Sequence, residues 1–230
     1  MLNLLEIEKL SKEISIAPLN IIREYYEMEV LDELSRNELS ERIVFYGGTA
    51  IRLAYNGFRF SEDLDFIFSK ELKKDEKELT NILKNIADKN PGVKVEEIIN
   101  KRNTLFGLIH ISHDLLKHSI RLKIEISKKD HDQESQYLLL KSPTSILNPI
   151  INTSTKKSLL ENKIEAIKNR NEPRDWFDFW YLSKELKYNK KKIPLFPFNK
   201  KEFENELKRW LPKNYWKVIP EIILFCTSPE

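Results

Sequence analysis

The sequence predicts an α+β protein, with a mixed α/β half followed by an all-helical half. Three observations carry this. Ser119–Ser127 alternates strictly: Ile120, Leu122, Ile124 and Ile126 take one side and Arg121, Lys123, Glu125 and Ser127 the other. That is the period-two pattern of a strand with one buried face. The stretch "SPTSILNPIINTST" (Ser142–Thr155) is rich in Pro, Ser and Thr and reads as a linker. Beyond it, every periodic segment is helical.

The elements follow in order. The first forty residues have helical periodicity, with an apolar stripe through Ile21, Ile22, Tyr25, Met28, Leu31 and Leu34 and with Pro18 near its start. "RIVFY" (Arg42–Tyr46) is a short β-branched and aromatic strand that ends at two glycines. A short helix from Thr49 to Asn56 is stopped by Gly57. "DLDFIF" (Asp63–Phe68) is a second strand. An amphipathic helix with Leu72, Leu79, Ile82, Leu83 and Ile86 inward follows and stops at Pro91-Gly92. Strands are expected over Val93–Ile99, Thr104–Ser112 and Ser119–Ser127. After the linker, helices are expected over Ser158–Arg170, Pro173–Leu186, Lys200–Leu211 and Tyr215–Phe225. The expected division is an α/β domain over 1–141 with N-terminal helices, a linker over 142–155 and a helical domain over 156–230.

Composition narrows the class. With 40% hydrophobic and 33% charged residues the chain has the make-up of a soluble globular protein. Its net charge of +3 permits nucleic-acid binding without arguing for it. Cys226 is the sole cysteine, which excludes an intrachain disulfide and a cysteine-based zinc site. No apolar run is long enough to cross a bilayer, so no membrane partner is expected. The start, "MLNLLEIEKLSKEIS", is a charged helix rather than a signal peptide, so a cytoplasmic location is expected.

The chemistry concentrates in "YGGTAIRLAYNGFRFSEDLDF" (Tyr46–Phe66). Asp63 and Asp65, two apart on a strand, project to one side while Leu64 and Phe66 face the core. Close carboxylates repel unless a cation lies between them. Such an oxygen pair suits Mg²⁺, which takes carboxylates together with phosphates and water. Gly47, Gly48 and Thr49 stand at a strand end before a helix, where backbone approaches a ligand closely and free N–H groups attract phosphate. A glycine pair alone is an ordinary turn, and a single Asp an ordinary strand-end cap. Together they specify a metal-dependent nucleotide site.

The same stretch resembles the signature of the AbiEii/AbiGii toxin family, a branch of the polymerase-β-like nucleotidyltransferases: a Gly pair, a short helix, an Arg-x-Ser approach, then Asp-Leu-Asp-Phe. Arg59, Ser61, Asp63 and Asp65 fill those places. "LLENKIEAIKNRNEPRDWFDFWYL" (Leu159–Leu182) is similar to the family's second block, with Asn162-Lys163 where Glu-Lys is common. The resemblance implies a polymerase-β-like core with a mixed β-sheet, followed by a C-terminal helical bundle. It implies Arg59 and Ser61 as nucleotide contacts beside Gly47, Gly48 and Thr49. It further implies Glu125 as a third carboxylate and metal ligand, Lys163 as a phosphate ligand and Asp175 as an active-site residue, with Asp178 ranked after it.

Each of these has a plainer reading. Glu125 also fits a solvated strand face, Lys163 also fits a stem lying along the apolar stripe of Leu160 and Ile167, and Asp175 also fits favourable placement at a helix start. Arg174 is read as a structural ion-pair partner. His110 and His113 are read as surface residues because no third ligand is near in sequence. "KRWLPKNYWK" mixes aromatics and cations as single-strand binders do, although tryptophans at helical positions are more often core.

The expected function is Mg²⁺-dependent transfer of a nucleotide from an NTP to an acceptor hydroxyl. The family resemblance implies an RNA acceptor such as a tRNA 3′ end, a toxin or phage-defence role, and a separate antitoxin protein. Transfer to a protein or small molecule, a phosphodiesterase and a non-catalytic metal–nucleotide module are the alternatives.

Overall fold

The computed structural model describes residues 3–129, 133–188 and 193–227. Two N-terminal helices, α1 (Leu4–Ile14) and α2 (Pro18–Ser35), precede β1 (Ile43–Tyr46), α3 (Gly47–Tyr55), β2 (Asp63–Phe68) and α4 (Asp75–Lys89). Strands β3 (Val93–Asn100), β4 (Thr104–Ile111), β5 (Ile120–Ser127), β6 (Ser135–Leu139) and β7 (Ile150–Ser154) follow. Helices α5 (Lys156–Asn169), α6 (Pro173–Leu186), α7 (Lys200–Trp210) and α8 (Ile219–Thr227) close the chain. The starts have local causes. Asn3 makes a reciprocal capping box with Glu6, Pro18 and Pro173 sit in the first turns of α2 and α6, and the Thr155 side chain accepts from the Ser158 N–H.

The strands form one mixed sheet in the order β3-β4-β5-β2-β1-β7-β6. β2 runs parallel to β5 and antiparallel to β1, and β1 runs parallel to β7. The expected linker is therefore partly sheet. Ile150–Ser154 lies beside β1, with Thr153 opposite Phe45, and carries β6 on its outer side. The sequence concealed it because Pro149 and the run Asn-Thr-Ser leave only two isoleucines of strand character. No helix among the described residues is long and apolar enough to cross a membrane.

Two hydrophobic cores result. The first joins the sheet to α1, α2 and α4 through Ile21, Tyr26, Leu31, Leu64, Phe66, Leu83, Leu122 and Ile124. The second packs α5–α8 through Leu159, Ile167, Phe177, Leu182, Phe203 and Ile222. α3 is shared: Ala50 and Leu53 enter the first core, Ile51 and Tyr55 the second. The turn of chain between the two glycines and β2 is thus fixed from both sides.

Candidate active site

β2 buries Leu64 and Phe66 completely and leaves Asp63 and Asp65 half-buried on its other face. β5 lies beside it in register, with Lys123 opposite Asp63 and Glu125 opposite Asp65. The Lys123 Nζ stands 3.1 Å from Glu125 Oε2 and 3.6 Å from Asp63 Oδ2. Burial, and then the neighbouring Asp63 charge, push the Asp65 carboxyl up to about 6. Burial raises Asp63 as well, against the pull of Lys123. Burial works against the Lys123 charge, but Asp63 and Glu125 outweigh it and hold the amine above its ordinary value.

The two glycines admit side chains of the site itself. Gly47 has φ +82, and a Cβ there would meet Asp65 Oδ2 at 2.6 Å. A Cβ on Gly48 would collide with the Arg59 guanidinium and stand 2.9 Å from Ser61 Oγ. Thr49 departs from expectation. Its hydroxyl donates to the Asp63 carbonyl at 2.6 Å, and the residue is buried, so it ties α3 to β2 and offers no free hydroxyl to a phosphate.

Facing β2 is a chain of buried charges on α5 and α6. Lys163 Nζ lies 2.9 Å from Asp175 Oδ1 and 2.7 Å from Asp178 Oδ2. Asp178 also takes a forked pair from Arg59, at 2.9 Å and 2.7 Å. Asp175 takes a second fork from Arg170, Nε to Oδ2 at 2.8 Å and Nη2 to Oδ1 at 2.9 Å. Burial alone would raise both carboxyls. Lys163 with Arg170 for Asp175, and Arg59 with Lys163 for Asp178, overcome it and hold both below the usual carboxylate range. Burial likewise opposes the Lys163 charge, yet Asp178 and Asp175 keep its amine above its ordinary value. Lys163 neither runs out to solvent along its apolar stripe nor stands free toward the cavity: its ammonium is buried between two aspartates.

These groups surround one cavity of about 430 Å³. Gly47, Gly48, Arg59, Ser61, Asp63, Asp65, Glu125, Lys163 and Asp175 all line it, and Thr49 does not. Lys123, Arg170 and Arg174 line it too. Neither Lys123 nor Arg170 stands out in the sequence as a site residue. The only signals were the polar-face position of Lys123 beside Glu125 and the place of Arg170 at the end of α5. Asp178, ranked behind Asp175, ties Arg59 to Lys163. Arg174 pairs with Glu62 at 2.9 Å and Glu172 at 3.2 Å, as a structural ion-pair partner should.

The remaining candidates fall outside. His110 Nε2 lies 2.6 Å from Ser119 Oγ, and His113 Nδ1 accepts from the Leu115 N–H. Trp210 is buried and Trp216 packs on the second core. Among the described residues no three acidic, His or Cys side chains are gathered so as to hold a metal unaided. Asp63 and Asp65 nevertheless fit a divalent cation. They are two carboxylates on one face, both made reluctant to ionise by burial and Asp65 further by the Asp63 charge, and phosphate oxygens and water would complete the shell.

The mixed sheet thus places an aspartate pair on one strand, a registered acid on the next and a glycine pair at a neighbouring strand end, all on one cavity. The chain belongs to the family described as "Nucleotidyl transferase AbiEii toxin, Type IV TA system", whose family model matches residues 29–209. It is a nucleotidyltransferase of that toxin family. No curated protein matches the sequence significantly. Among solved structures, the fold is similar to that of JHP933 from Helicobacter pylori, at 22% identity and TM-score 0.57, covering 92% of this chain and 80% of that one. It is also similar to MenT4, a nucleotidyltransferase toxin from Mycobacterium tuberculosis, at 16% identity and TM-score 0.54, covering 92% of this chain and 68% of that one.

Proposed function

We propose that the protein moves a nucleoside monophosphate from MgNTP to a hydroxyl at the 3′ end of an RNA such as tRNA. It would act in the cytoplasm, in phage defence, as a toxin countered by a separate antitoxin protein. The observation that carries the reading is the face shared by Asp63, Asp65 and Glu125 at the floor of a cavity whose opposite wall is cationic.

Asp63 and Asp65 would hold Mg²⁺, which when bound neutralises charge on the phosphate oxygens. Gly47 and Gly48 let Asp65 and Arg59 close in at the start of α3, where N–H groups favour the anionic triphosphate. Ser61 lies next to that turn and adds a hydroxyl. Glu125 accepts the proton of the attacking hydroxyl as its oxygen bonds to the α-phosphorus. The bond from that phosphorus to the bridging oxygen breaks, and pyrophosphate leaves. Arg59, Lys163 and Asp175 set the shape and charge of the opposite wall, so that catalysis rests on positioning and charge neutralisation.

The test is incubation with each α-labelled NTP, Mg²⁺ and total RNA, followed by sequencing of RNA 3′ ends from cells expressing the protein. Label in RNA that disappears with Asp63→Ala supports the reading. Label in protein or a small molecule moves the acceptor, RNA loss without NTP makes the protein a phosphodiesterase, and binding without transfer to any acceptor makes it a nucleotide sensor.

A further inference from the structure

We infer that Arg170 grips the β- and γ-phosphates of the incoming nucleotide, with Asp175 as the residue that positions it. The inference rests on the nucleotidyl-transfer reading above and names the group that recognises the triphosphate.

Most cations around the cavity are already engaged by the protein itself. Arg59 is only 4% exposed, gives Nε and Nη2 to Asp178, and gives Nη1 to the Phe60 carbonyl. Lys163 is 7% exposed and lies between two carboxylates. Lys123 is engaged by Glu125 and Asp63, and Arg174 by Glu62 and Glu172. Lys129 also lines the cavity, but among the described residues no side chain fixes its ammonium.

Arg170 differs from all of these. Its side chain is 56% exposed although its fork is fixed by a buried aspartate. Nε and Nη2 are used by Asp175, and Nη1 has no partner among the described residues. A guanidinium held flat along one edge offers the other edge at little further entropic cost, and its planar donors match phosphate oxygens. Asp175 is itself held by Lys163, so the seat is rigid.

Location selects the phosphates. Arg170 lines the cavity opposite β2 and lies close enough to Asp65 to feel its charge. The α-phosphorus must stand beside Asp65 and Glu125 for attack. The rest of the triphosphate then extends toward the α5–α6 wall, where Arg170 is the exposed and oriented cation.

The test is calorimetric titration of the full chain, with Mg²⁺ present, using a non-hydrolysable NTP analogue, the matching NMP and inorganic tripolyphosphate. Arg170→Met should weaken the analogue and tripolyphosphate by about ten- to a hundredfold, the worth of a hydrogen bond to a charged group, and leave NMP affinity unchanged. Arg170→Lys, which keeps the charge but loses the planar fork, should lie between and serves as the readout if the Met variant does not fold. Asp175→Asn should shift the analogue in the same direction with NMP unaffected, which a merely structural role would not produce. If folded Arg170 variants bind the analogue as tightly as wild type while Asp63→Ala does not, this inference is wrong and the proposed function stands. If the wild type binds no NTP at all, both are wrong.

Discussion

Arg59 and Asp178, 119 residues apart, meet as a buried two-pronged pair, Nε to Oδ1 at 2.9 Å and Nη2 to Oδ2 at 2.7 Å. The pair joins the approach to β2 with α6, and through Lys163 it continues to Asp175 and Arg170. Removing one member leaves a buried charge without its partner. Arg59→Met or Asp178→Leu should each cost about 3–5 kcal/mol, with the double variant recovering part of the loss. Urea unfolding of the single and double variants gives the coupling directly. Additive losses would mean that the two side chains do not depend on each other.

The acid limb of stability should come from the same network. Asp175 and Asp178 are both held below the ordinary carboxylate value in the folded protein. A depressed carboxyl contributes stability that is complete above its unfolded value, about 4, and is lost as pH falls from there through the folded value. Melting temperature should therefore drop steeply below about pH 4. Asp178→Asn should flatten that limb. An unchanged acid limb would remove the network from the explanation of acid unfolding.

At Asp65 function and stability should oppose each other. Its carboxyl is raised from 3.8 to about 6 by burial and by Asp63, so the folded metal-free protein loses stability as pH rises through that interval. Asp65→Asn should melt higher than wild type above pH 6, with the difference opening between pH 3.8 and about 6. The same substitution should abolish transfer and the rise in melting temperature that MgNTP gives wild type. A variant that gains no stability, or still responds to MgNTP, would contradict this account of the site.

The glycines give a steric test. Gly48→Ala places a Cβ on the Arg59 guanidinium, and Gly47→Ala places one 2.6 Å from Asp65 Oδ2 at a φ of +82. Both should lower the melting temperature and reduce transfer. Gly48→Ala should lose much of its effect in an Arg59→Met background, where the obstructed side chain is shorter and unbranched. Thermal melts of the single and double variants read this out. An equal penalty in both backgrounds would place the clash elsewhere.

The sequence by itself determined the α+β class, β2 to the residue, most helix positions and the direction of the aspartate pair. These rest on local rules: alternation decides which way Asp63, Leu64 and Asp65 point, and prolines decide where α2 and α6 begin. Motif order further determined the family. Only the tertiary structure decided how those residues are used. β7 was hidden because its strand character comes from its place beside β1 rather than from its own composition. Thr49 stands where the motif expects a phosphate contact, yet its hydroxyl is taken by the Asp63 carbonyl, a partner that exists only once α3 packs against β2. Lys123 and Arg170 look like ordinary cations in the chain. Pairing of β5 with β2 puts one among carboxylates, and a buried Asp175 fixes the other at the cavity wall. Charge partners at long range depend on which surfaces meet, and local periodicity carries no record of that.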